Sequence, residues 1–182
     1  MTSPYVKRVI DHLWWQDEEK DPPRVYALLD AARDESIYPK ILDCGLESTC
    51  LYQGEKAREL AWVAPYLVEL KRDDPFTEWV VENGWGKSWG VFAGSIATLN
   101  ELKRHFRAFL MVYDEEGNSL YFRYYDPRVL RVYLPTCNAG ELGTVFGPVE
   151  YYIVEREDPG FVSRFRNAAG TLLQEKLTVG KG

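Results

Sequence analysis

Histidine is nearly absent, with two among 182 residues, and cysteine is limited to Cys44, Cys50 and Cys137. An odd, sparse cysteine set does not describe a disulfide framework and points to a reducing compartment. Cys44 and Cys50 stand too far apart for a C-x-x-C knuckle, and two histidines cannot make up the difference, so no metal site or other cofactor is expected. No run approaches the roughly 20 apolar residues of a membrane-spanning helix. The opening "MTSPYVKRVIDHLWW" is too charged, and its apolar run too short, for a secretory signal. Basic residues are the minority, 22 against 28 acidic ones, for a net charge of −6. That argues against general affinity for nucleic acid or for anionic membranes. A cytoplasmic protein is expected.

Aromatic residues are abundant, with 12 Tyr and 6 Trp. Such side chains bring large apolar area with a polar handle, and suit both cores and interfaces. The length suits one domain that buries roughly 70% of its unfolded surface. Charge is uneven: after residue 160, Arg164, Arg166, Lys176 and Lys181 outweigh Glu175, so a basic tail follows an acidic body. The expected organisation is a single α/β domain over residues 1–157 and a helical tail over 158–182.

Hydrophobic periodicity places the elements. Tyr5, Val6, Val9, Ile10, Leu13 and Trp14 form a helical stripe behind a Ser3-Pro4 start. "VYALLDAA" reads as a buried strand. A short helix is predicted at 34–42, and a strand near 66–70. Asp74-Pro75 opens a helix that Asn83-Gly84 closes. "SWGVFA" is a strand, and Thr98 with Glu101 makes a capping box for a helix to about Arg107. "AFLMVYD" and "SLYFRYY" read as a hairpin around Glu115–Asn118. Because both its faces are apolar or aromatic, it is expected inside a sheet. Asp126-Pro127 opens another helix, a loop holds Cys137, Gly140 and Gly143, and "PVEYYIVE" is the last strand. After Asp158-Pro159-Gly160, the spacing of Phe161, Phe165, Ala168, Ala169 and Leu172 predicts an amphipathic tail helix. The fold class is α/β (α+β), with a central, largely antiparallel sheet flanked by helices.

"NGWGKSWG", residues 83–90, carries two enzyme-like spellings. A phosphate loop needs a glycine five positions before Gly86, where Val81 stands, and it must follow a strand and open a helix. Gly86-Lys87-Ser88-Trp89-Gly90 spells a serine-hydrolase elbow, which also needs strand, turn, then helix. Here a helix precedes and a strand follows. His105 is the one downstream histidine, and Glu101 beside it would form a surface pair on the same helix. A small hydrolase using Ser88 and His105 is the weaker alternative. Trp85 and Trp89 are read as packing residues, with the glycines permitting close approach.

"FRYYDPR" is the second polar knot. Asp126 and Pro127 are accounted for by helix capping. Arg123 is read as pointing from a buried strand, so it needs a carboxylate, Asp126 being one candidate. Arg123, Tyr125, Asp126 and Arg128 are the candidate partner-binding residues, with bracing of the fold as the competing role. No acid–base scheme is apparent among them.

"YALLDAA", "APYLVEL", "LKRHFRAFLMV", "YFRYYDPRVLRVYLPTC" and "FGPVEYY" occur in this order over Tyr26 to Tyr152. Together they resemble the effector-loading chaperones, or adaptors, of bacterial type VI secretion, a family long catalogued only as a domain of unknown function. The Arg123–Arg128 block with Leu134–Cys137 is the most specific piece. The resemblance implies a small cytoplasmic α/β domain that binds a toxic effector protein and delivers it to the VgrG spike protein, with no catalysis. Many members carry a further C-terminal region, whereas about 30 residues follow Tyr152 here. Either the basic tail does equivalent work or the range of partners is narrower. An immunity protein that neutralises a toxin is a further alternative.

Overall fold

The computed structural model describes residues 3–18 and 21–180. Strand β1 (Arg24–Asp30) is buried along its length except at Arg24. Its side chains alternate between two cores: Val25, Ala27 and Leu29 enter one, Tyr26 and Leu28 the other. This two-sided burial is why the segment reads as a continuous apolar run. β1 lies between β3 (Pro65–Leu70) and β4 (Gly90–Ser95), antiparallel to both. β2 (Ser48–Cys50) extends the sheet beyond β3. On the other side follow β7 (Tyr151–Glu155), β8 (Phe161–Ala168) and β9 (Thr171–Thr178). The seven strands run in the order β2-β3-β1-β4-β7-β8-β9, antiparallel throughout.

Helices cover both faces. α1 (Pro4–Leu13), α2 (Ile37–Asp43) and α4 (Pro75–Gly84) supply Val9, Ile37 and Val81 to the first core. α5 (Leu99–Ala108), α6 (Pro127–Tyr133) and α7 (Ala139–Phe146) supply Phe106, Leu130 and Phe146 to the second. α3 (Gly54–Glu59) contributes no buried residue. The starts follow local chemistry. The Ser3, Asp74 and Asp126 side chains accept from the amides of Val6, Phe76 and Arg128, each beside a proline in the first turn. Thr98 with Glu101, and Asn138 with Glu141, close reciprocal capping boxes. No helix among the described residues is long and apolar enough to cross a membrane.

Three expectations are corrected. The tail is not a helix. Residues 161–178 form the β8–β9 hairpin, which adds two strands to the sheet, so the chain after 157 is continuous with the body and β7 is not the last strand. The apparent helical stripe was a coincidence of spacing. Val162 belongs to one core and Phe165 to the other, as alternation in a strand requires. Ala169 and Gly170 both have positive φ, the pattern of a primed hairpin turn, although Ala-Gly lacks the usual Asn-Gly signature. Lys181, counted in the basic tail, lies outside the described residues. Second, the hairpin of β5 (Met111–Tyr113) and β6 (Ser119–Tyr121) is not inside the sheet. It forms a separate two-stranded sheet, exposed at every position. Third, the loop expected around Gly140 and Gly143 is α7.

Glycine is obligatory at the centre of the sheet. A Cβ on Gly90 would lie 2.1 Å from the Leu28 carbonyl oxygen of the neighbouring strand. That contact is with backbone, so β1 and β4 would have to move apart. Gly90→Ala is expected to cost about 3 kcal/mol, the upper end of overpacking penalties, measured as a lower midpoint in urea denaturation.

Candidate partner-binding site

The strand directions bring three loops together. β1 ends at Asp30 and β7 ends at Glu155, on either side of the strand that begins at Gly90. Asp30 is 1% exposed. Its Oδ1 accepts from the Ala32 amide at 3.1 Å, and its Oδ2 takes the Arg123 guanidinium at 2.5 Å. Asp126, also buried, accepts Arg128 in a fork: Nε to Oδ1 at 3.0 Å and Nη2 to Oδ2 at 2.6 Å, besides the capping amide. Burial works against ionisation of Asp126, but the bonds from Arg128 outweigh it and hold the carboxyl below its ordinary range.

Two of the four candidates, Arg123 and Arg128, therefore face solvent, with side chains 46% and 48% exposed. Tyr125 and Asp126 are buried supports. Arg123 does not point from a buried strand. β6 stops at Tyr121, and the buried member of the pair is the carboxylate. Nor does Arg123 pair with Asp126, which Arg128 occupies. The Tyr125 ring lies 6.0 Å from the Arg123 guanidinium. Each fork is thus pinned on one side by a buried carboxylate and open on the other, a geometry suited to carboxylates and carbonyls of a partner.

The 83–90 stretch is held by Glu155. Its carboxylate accepts from the amides of Gly86 (2.7 Å) and Ser88 (2.8 Å) and from the Ser88 hydroxyl (3.2 Å). Burial raises the Glu155 carboxyl, and these bonds only partly oppose it. Ser88 sits at φ 59, a left-handed conformation rare for serine. Trp89 packs on Gly84, where a Cβ would meet its ring at 2.6 Å. His105 bonds instead to the Val145 carbonyl at 3.1 Å, and burial pushes its ring below the ordinary histidine value. Ser88 and His105 are thus each bonded to a different partner.

Sequence reading missed Asp30 and Glu155, which organise the site. An aspartate and a glutamate ending two buried strands were the available signal. It also missed the exposed rings of β5–β6, because an apolar strand looks the same whether its cover is its own chain or another.

A family model described as a domain of unknown function (DUF4123) matches residues 25–144. The chain belongs to the DUF4123 family. No curated protein and no solved structure matches it. The DUF4123 match begins in β1 and ends within α7. It takes in Asp30, the β5–β6 hairpin and the Arg123–Arg128 block, and stops before β7–β9.

Two consequences can be measured. Arg123→Ala leaves Asp30 buried without its cation. Because Arg123 is half exposed, the expected loss is about 2 kcal/mol in denaturant titration, below the full penalty for a buried pair. The raised Glu155 carboxyl means that the folded protein binds this proton more readily than the unfolded chain does. Its stabilising contribution is complete below the unfolded carboxyl's titration and is lost as pH rises through the raised folded value. Stability should fall over the pH range just above the ordinary glutamate value, and Glu155→Gln should remove that part of the fall.

Proposed function

We propose that this DUF4123 protein is a non-catalytic cytoplasmic chaperone or adaptor that binds a type VI secretion effector and helps load it onto the VgrG spike. The observation that carries this reading is the pair of half-exposed guanidiniums, Arg123 and Arg128, each anchored by a buried carboxylate. Burying an aspartate to aim an arginine outward is costly as bracing alone, since an apolar pair of similar volume would brace as well. It is useful where a partner must meet a fixed donor array, and arginine and tyrosine are common anchors of protein interfaces. The Ser88/His105 hydrolase alternative loses support because each side chain bonds elsewhere, Ser88 to Glu155 and His105 to a main-chain carbonyl. A bound effector would be stabilised by mass action, by a few kcal/mol at saturating chaperone.

The test is co-purification with an effector encoded beside this gene. Wild type is expected to form a stoichiometric complex, and Arg128→Glu to fold but weaken the complex at least about tenfold, the loss of one charged anchor. If Arg128→Glu leaves the complex intact while Arg123→Ala unfolds the protein, the block is a brace and the interface lies elsewhere. Ester hydrolysis that disappears in Ser88→Ala would replace this reading altogether.

A further inference from the structure

Met111, Val112, Tyr113, Leu120 and Tyr121 are five of the eleven large apolar residues exposed among the described residues, and all five lie on the β5–β6 hairpin. The two strands pair only with each other. A lone two-stranded hairpin is marginal in water, and a concentrated apolar patch marks an interaction surface. Met111 and Tyr121 are cross-strand partners, so they share a face. That face looks onto a groove of about 240 Å³ whose lining includes Leu51, Tyr52, Lys56 and Arg107.

The charge in this groove is of one sign. Lys56 lies 3.8 Å from the Tyr121 ring centroid and 5.2 Å from that of Tyr52, and its amine donates to the Tyr121 hydroxyl. Arg107 donates to the carbonyls of Cys50, Leu51 and Tyr52. Neither cation forms an ion pair among the described residues, and no carboxylate lines the groove. The hairpin's own acids, Asp114, Glu115 and Glu116, are at its far tip, where the Asp114 carboxylate accepts turn amides. Two uncompensated cations on an otherwise acidic molecule, set beside Tyr and Met side chains, complement an anionic and apolar ligand.

We propose that the groove between β5–β6 and residues 51–56 receives a partner polypeptide segment whose apolar side chains sit beside carboxylates. This rests on the reading of the chain as a carrier of another polypeptide, and it names the chemistry of the segment carried. The segment's carboxylates meet Lys56 and Arg107, its apolar side chains cover Met111 and Tyr121, and the acidic hairpin tip orients it by repulsion. Tyr52 continues the surface beyond the hairpin, its ring 5.5 Å from that of Tyr121.

The probe is a short fluorescein-labelled peptide of alternating leucine and glutamate, read by fluorescence anisotropy, with the lysine-for-glutamate peptide as control. The glutamate peptide should bind at least about tenfold more tightly than the lysine one, and salt should weaken it. Lys56→Glu and Tyr121→Ala, checked for native folding by circular dichroism, should each weaken it by a similar factor. Equal binding of the two peptides, or indifference to both substitutions, overturns the assignment. So does a dimer in solution that Lys56→Glu dissolves, because a second copy would then fill the groove. If an effector complex forms and survives both substitutions, the groove is wrong and the carrier reading stands. If the peptide behaves as stated but no effector complex forms, the reverse holds.

Discussion

Charge buried at one end of the central sheet is the constraint on which the rest of the molecule depends. Asp30 and Glu155 end two strands that flank β4, and both are nearly inaccessible to water. A carboxylate in such a place costs several kcal/mol unless donors surround it. Each therefore dictates the path of a distant segment. Glu155 draws in the amides of Gly86 and Ser88 and so shapes the turn into β4. Asp30 draws in Arg123, 93 residues away, and ties the segment after β6 to the end of β1. Asp126 does the same over a shorter span, joining a helix cap to Arg128. The two loop systems meet electrostatically, since Arg128 lies within the field of both Asp30 and Glu155. Loops are fixed here by solvation energy as much as by apolar packing.

Such an arrangement was only partly legible in the chain. Local rules worked wherever the causes were local. Asp-Pro at 74–75 and 126–127 announced two helices, Thr98 with Glu101 a third, and the continuous apolar run of β1 a buried strand. The tail failed because Phe161, Phe165 and Leu172 fall at helical spacing, while the turn at Ala169-Gly170 carries a weak signature. α7 failed because Gly140 and Gly143 suggested a loop, although Asn138 with Glu141 already spelled a capping box. The partners of Arg123 and Ser88 were invisible for a different reason. They lie across the sheet topology, and no local pattern reports which strand ends will become neighbours. Arg123 could be read as needing a carboxylate, but its partner is Asp30 and not the nearby Asp126.

The same distinction explains the hairpin. Burial was inferred for "AFLMVYD" and "SLYFRYY" from apolar side chains on both faces, and that inference concerns what the side chains require, not what supplies it. In this fold the chain itself leaves Tyr113 and Leu120 open to solvent. The rings nearest the body are partly satisfied: Phe122 stands 4.6 Å from Tyr133, and Tyr121 is matched by Tyr52 and Lys56. Apolar cover thus thins out along the hairpin from base to tip. The base of the hairpin is tied to the body, while its outer apolar side chains have no cover from the chain itself.

Polar groups in this fold differ in how much of their bonding capacity the chain itself uses. A nucleophile or base must keep a free lone pair within reach of substrate. Ser88 is bonded to Glu155, whose carboxylate also takes the amides of Gly86 and Ser88, and His105 is held against the Val145 carbonyl. A recognition group must be held rigid and yet keep donors unspent. Arg123 and Arg128 meet that demand, each fork fixed by a buried acid and open to solvent on the other side. Lys56 and Arg107 are bonded to neutral oxygens and form no ion pair among the described residues. Lys56, Arg107 and Arg123 border Tyr121, Tyr52 and Tyr125, which lead from the hairpin groove toward the arginine block. At the hairpin groove, cations without an ion pair among the described residues and missing apolar cover coincide. One anionic, apolar segment of another chain would relieve both at once.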